Sequence, residues 1–74
     1  MLKKDELTDP NSCFSKAKDS ERMFVLLARD IVAPNTIRFW ANERIRLGKN
    51  KFYDSQIQEA FECARLMERE RVPQ

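Results

Sequence analysis

Ile57, Ala60, Phe61, Ala64 and Met67 recur at i, i+3, i+4, i+7 and i+10. That spacing lines one face of an α-helix and gives the C-terminal third of the chain an apolar stripe that must lie on another apolar surface. Ser55 and Gln58 precede the stripe at capping-box spacing, so the helix is expected to open at Asp54-Ser55 and to fray before Pro73. Glu62 with Arg65, and Glu68 with Arg71, are spaced as surface pairs along it.

Upstream, Pro34 fits a first-turn position and Gly48 a stop, with Lys49-Asn50-Lys51 as a polar loop after it. Between them Ile37, Trp40, Ala41, Ile45 and Leu47 share one broad face. Asp19 or Ser20 can cap a further helix from near Glu21, on which Met23/Leu27, Phe24/Ala28 and Leu27/Ile31 stack at four-residue spacing. Met23 to Ala28 also reads as a short strand. Helix is preferred, because no second strand candidate exists to satisfy its backbone. Asp9-Pro10 opens a short helix of about two turns through Cys13, Phe14 and Ala17. The expectation is an all-α fold: a small compact bundle of three main helices plus a short N-terminal helix, forming a single domain over residues 9–72 behind a flexible segment, residues 1–8.

With 74 residues there is room for one domain, and the composition, 42% apolar and 35% charged with a single Gly, is that of a helix-rich globule rather than a disordered chain. A core of this size rarely supplies more than about 3–5 kcal/mol, so docking on a partner or self-association would add what the core lacks. The longest apolar run, Met23 to Ala28, is too short to cross a bilayer, and Met1-Leu2-Lys3-Lys4-Asp5-Glu6 lacks the apolar core of a signal peptide. A cytoplasmic protein without membrane contact is expected. Cys13 and Cys63 are then free thiols that serve as small packing residues.

The chain has no histidine, which removes the usual general base and the commonest transition-metal ligand. Two cysteines without histidine do not build a tetrahedral zinc site within one chain. Gly48 alone makes no phosphate-binding loop, and Glu59, Glu62, Glu68 and Glu70, interleaved with arginines, read as a solvated face. No catalytic residue, cofactor or metal is expected.

The informative charge lies in residues 38–51, where Arg38, Arg44, Arg46, Lys49 and Lys51 oppose only Glu43, five positive charges against one negative. On a helical wheel Phe39 falls opposite the core face, between Arg46 and Glu43, while Leu66 falls away from its helix's stripe, among Glu59, Glu62 and Glu70. An aromatic side chain flanked by arginine has the composition of an interface anchor, so Phe39, Arg46 and Leu66 are the candidate partner-binding residues. Phe39 and Leu66 can equally pack under the N-terminal segment. Arg44 falls among apolar positions and is expected to snorkel outward or to pair with an acid such as Asp30.

The run Pro34-Asn35-Thr36-Ile37-Arg38-Phe39-Trp40, with the turn Ile31-Val32-Ala33 before it, resembles the helix-turn-helix of mercury-resistance-type regulators and phage excisionases. Ile31 stands where those families often carry Gly, and no wing strands follow. The resemblance covers residues 28–40 and implies that Asn35, Thr36 and Arg38 face the major groove while Arg46, Lys49 and Lys51 meet phosphates. A longer pattern, from Asp9-Pro10-Asn11-Ser12-Cys13 through Ala33-Pro34 and Trp40 to Gly48-Lys49-Asn50-Lys51 and Glu62-Cys63-Ala64, is similar to small bacterial and prophage-type proteins and implies such a setting without a mechanism. The leading expectation is an accessory or regulatory module that contacts another protein, with DNA binding second and a homodimer compatible with either.

Overall fold

The computed structural model describes residues 1–70, which form an all-α fold with no strand among them. Helices α1 (Lys3–Thr8) and α2 (Cys13–Lys16) are short; α3 (Ala33–Arg46) and α4 (Ser55–Glu70) are the long ones. The long helices pack against each other as a hairpin, and α1 packs on α2.

Helix α3 starts where the sequence places it, with Pro34 in the first turn, where its missing N–H is not needed. It stops at Gly48, the one residue with positive φ among those described, 73°. The Gly48 N–H donates to the Ile45 carbonyl and the Lys49 N–H to the Arg44 carbonyl, both at 3.0 Å. This is the Schellman arrangement, which satisfies carbonyls the helix end would leave bare. Helix α4 opens at Ser55 as expected, but its capping box does not form. Asp54 is the residue whose carbonyl accepts the first helical N–H groups, from Ile57 and Gln58. Ser55 therefore already lies inside the first turn, and the Gln58 side chain instead donates to the Phe52 carbonyl at 2.8 Å.

The contact between the long helices is made by small residues. Ala33, Pro34 and Ala41 on α3, with Ile57 and Ala64 on α4, are buried, and among the described residues Ile57 is the only large aliphatic side chain fully so. Ile37, Ile45, Ala60, Phe61 and Met67 border them half-buried. Trp40 and Leu47, expected on the same core face, remain exposed. Arg44 holds its guanidinium 5.8 Å from the Trp40 ring centre and donates from Nε to Asn50 Oδ1 at 2.7 Å, in place of the expected pair with Asp30.

The helix expected from near Glu21 to Ile31 does not form, and this explains the bare flank of α3. Residues 22–27 belong to neither helix nor strand. Turns close both ends of the segment: the Glu21 N–H donates to the Lys18 carbonyl while Glu21 Oε1 accepts from the Lys18 N–H, and the Asp30 N–H donates to the Leu27 carbonyl. Between them the apolar residues run consecutively rather than along one face, so a helix could bury only part of them. About eleven residues also fall short of the roughly 12–15 an isolated helix needs.

Within the first eight residues, expected to be a flexible segment, lies α1. Its link to α2 depends on Ser12, 1% exposed, whose Oγ donates to the Glu6 carbonyl at 2.6 Å and accepts the Ser15 N–H at 3.0 Å as the α2 cap. Glu6 Oε1 accepts the Phe14 N–H at 2.9 Å. The short helix therefore begins at Cys13 rather than at Pro10, and Cys13, expected to pack inside, is exposed. The expected fraying near Pro73 and the pair with Arg71 lie outside the described residues.

Ile57→Ala should cost about 2–5 kcal/mol, the whole margin of such a core, and abolish the cooperative thermal transition. Phe24→Ala, at a side chain 87% exposed, should leave the transition where it is. Equal losses in both variants, read by circular dichroism, would show that the core lies elsewhere.

Candidate partner-binding surface

Phe39 lies on the outer face of α3, 68% exposed, as its wheel position requires. Val32, at the helix's N-terminal cap, sits seven residues earlier on the same side and is also exposed. Arg46 closes the far end of this face, with Nε donating to Glu43 at 3.0 Å. Phe39 and Arg46 thus share one face. Leu66 does not join them: it is half-buried and lines grooves on the other side of α4 with Met1, Leu2, Asp5 and Cys63. Met1 and Leu2 of the N-terminal segment line these grooves with it, in keeping with the second of the two places the sequence allows for Leu66.

The residues proposed to read DNA are differently engaged. Arg38 bridges the two long helices, donating to both carboxylate oxygens of Glu68 and, at 3.1 Å, to Asn35 Oδ1. The Glu68 carboxylate holds the Arg38 guanidinium above its ordinary pKa. Thr36 Oγ1 donates to the Val32 carbonyl at 2.8 Å within its own helix. Lys49 and Lys51 are exposed on the α3–α4 turn. The segment that would supply the first helix of a helix-turn-helix is the non-helical one before α3.

Behind that turn a polar network joins the helices. Asn50 receives Arg44 and donates through Nδ2 to Asp54 Oδ2 at 3.0 Å and Gln56 Oε1 at 3.2 Å, and Asp54 Oδ2 accepts the Lys51 N–H at 2.9 Å. The Lys51 N–H, and after it the Asn50 amide, hold the Asp54 carboxyl below its ordinary pKa. Glu43 and Glu62 are lowered in the same direction, chiefly by hydrogen bonds from Arg46 and Arg65.

Sequence reasoning missed an exposed apolar stretch, because it placed Met23, Phe24, Leu27 and Ile31 among the stacked apolar residues of a helix. Met23, Phe24, Val25, Leu27, Ile31 and Val32 all stand exposed. The signal was present in the six unbroken apolar residues from Met23 to Ala28, more than one helix face can hide. Phe52 and Tyr53, at the turn, are exposed as well. Among the described residues no group of three or more His, Cys, Asp or Glu side chains is placed to hold a metal ion, and no helix is long and apolar enough to cross a membrane. In comparison with known proteins, no family model, no curated protein and no solved structure matches this chain.

The lowered carboxyl groups set a pH dependence. The unfolded chain takes up those protons at a higher pH than the folded chain does, so their stabilisation is complete above the ordinary carboxylate range and is lost as pH falls below it. Stability followed by urea titration should stay level from neutral pH to the top of that range and then decline. The triple variant Glu43→Gln/Asp54→Asn/Glu62→Gln should show a shallower decline, and an unchanged acid limb would remove these three groups as its cause.

Proposed function

We propose that this chain is a small non-enzymatic binding module, accessory or regulatory in role, which works by burying its exposed apolar side chains against another protein. One observation carries the reading. The chain exposes 6469 Å², whereas a compact monomer of 8.8 kDa exposes about 4,800 Å². The excess, roughly 1,700 Å² on one chain, is about twice what each partner contributes to a standard protein–protein interface.

The composition of that surface supports the same reading. Phe14, Phe24, Phe39, Trp40, Phe52 and Tyr53 are all at least 41% exposed. Large aromatic side chains are the ones interfaces use as anchors. Phe39 is the best placed of them, because it projects from a regular helix and is flanked by Glu43 and Arg46, which can form a polar rim around a docked partner. A DNA contact through α3 has less to draw on, since Arg38 and Arg46 already hold carboxylates within the chain.

The test is capture of a partner from a lysate of the source cells by immobilised protein, with Phe39→Asp beside the wild type. The variant should keep the wild-type helicity, because the side chain it replaces lies in solvent, and should lose the captured protein. Identical capture by both would move the docking surface off α3. Salt-sensitive retention of a mixed-sequence DNA duplex by the wild type, lost in a Lys49→Ala/Lys51→Ala variant, would favour nucleic acid instead.

A further inference from the structure

The connection between α3 and α4 displays two lysines and two aromatic rings. Residues 51–54 form a hydrogen-bonded turn, closed by the Asp54 N–H on the Lys51 carbonyl at 3.0 Å, with Phe52 and Tyr53 at its centre. Gly, Pro, Asn, Asp and Ser dominate such positions, because they suit the backbone of a turn. Two adjacent aromatic side chains do nothing for the turn itself, and they bury little: Phe52 is 65% exposed and Tyr53 74%. A local choice that gains nothing for the fold is the mark of a functional position.

The turn is also firmly held. Gln58 Nε2 donates to the Phe52 carbonyl at 2.8 Å, the Lys49 N–H donates to the Arg44 carbonyl, and Asp54 Oδ2 accepts from both Asn50 Nδ2 and the Lys51 N–H. Asp54 is the one acidic residue from Arg44 to Ser55, and it is thus engaged from within. Lys49 and Lys51 stand exposed and form no ion pair among the described residues. Cations and rings therefore share five consecutive residues whose backbone is already ordered.

We infer that this turn binds single-stranded nucleic acid, with Phe52 and Tyr53 stacking on successive bases and Lys49 and Lys51 meeting the phosphates. The pairing of chemistries names the ligand. Lysines alone suit any polyanion, and rings alone suit any apolar surface; a chain of flat bases joined by phosphates takes both. A single strand is favoured over a duplex, because paired bases are already stacked and their faces are closed to a ring. Nor does α3 offer free residues for a major groove, since Arg38 and Thr36 are held within the chain. The inference goes beyond the protein-contact reading and uses none of Phe39, Glu43 and Arg46, the outer face of α3 on which that reading centres.

Fluorescence anisotropy tests it, with a labelled oligothymidylate of about 12 nucleotides beside a duplex of the same length, at about 50 and 200 mM salt. The wild type should bind the single strand about tenfold tighter than the duplex. Two phosphate contacts on a single strand give a slope of about −1.4 in log affinity against log salt, and Lys49→Ala/Lys51→Ala should bring that slope close to zero. Phe52→Leu/Tyr53→Leu keeps the apolar bulk and removes the rings. It should weaken single-strand binding about tenfold or more, with the slope and the circular dichroism unchanged. If that variant loses its helicity, the lysine variant, altered only at two exposed ammonium groups, still decides. Absence of single-strand binding at the lower salt overturns the inference, as does equal affinity for both forms, a leucine variant that folds and binds like the wild type, or a lysine variant with an unchanged slope. Binding of wild type and leucine variant alike to vesicles containing an anionic phospholipid, with none to the single strand, assigns the turn to a lipid surface and also overturns it. Phe39-dependent capture of a protein is read separately, so the protein-contact reading stands or falls on its own.

Discussion

The turn between α3 and α4 holds this fold together. Only two long helices are present, so their mutual orientation decides whether any core exists at all. Three groups fix it: Gly48, whose left-handed backbone lets the Arg44 and Ile45 carbonyls be satisfied; Asn50, which takes up the Arg44 side chain; and Asp54, which receives both Asn50 and the Lys51 N–H at the start of α4. A side chain at position 48 would meet no steric obstacle, so the demand for glycine there is conformational alone. Arg38 and Glu68 then tie the other end of the hairpin, so the two helices are pinned at both ends by polar contacts and packed between them by alanines.

That economy has a consequence for function. Alanine at the contact lets two helices approach closely but buries little apolar area. At about 25 cal/mol per Å², Ala33, Ala41 and Ala64 contribute far less than leucines would. The larger side chains of the chain, Phe24, Phe39, Trp40, Phe52 and Tyr53 among them, were left for the surface. A sequence with this many aromatic residues outside its core either aggregates or uses them, and the charged residues interspersed with them, Arg22, Arg29, Glu43, Arg46, Lys49 and Lys51, favour use.

Legibility from sequence followed local chemistry. The α3 and α4 boundaries were readable because Pro34, Gly48 and the Asp54-Ser55 start each act through their own backbone, independently of what packs nearby. Phe39 was readable for a related reason: its neighbours at three- and four-residue spacing fix which way it points once α3 exists. The segment from Glu21 to Ile31 was not readable in this way. Its four-residue pairs fit a helix, yet its apolar residues run consecutively, more than one helix face can bury, and about eleven residues are too few for a helix to stand alone. Arg44 and Leu66 were legible only as alternatives, since the neighbours that decide between them, Asn50 for the one and the N-terminal segment for the other, are brought in by tertiary structure. Ser12 could have been suspected as a cap, but its role in joining α1 to α2 depends on the Glu6 carbonyl six residues away.

The segment that sequence pattern misassigned is also one the chain leaves largely exposed, and the two facts have one origin. A stretch apolar on every side suits neither solvent nor a single helix face; it is compatible with burial from both sides. Leu26, Leu27 and Ala28 line a groove with α4 and the N-terminal segment, and Met23 and Phe24 line another with Cys13 and Lys16 of α2. On this argument the segment's lack of regular structure follows from an apolar run that no single helix face can hide.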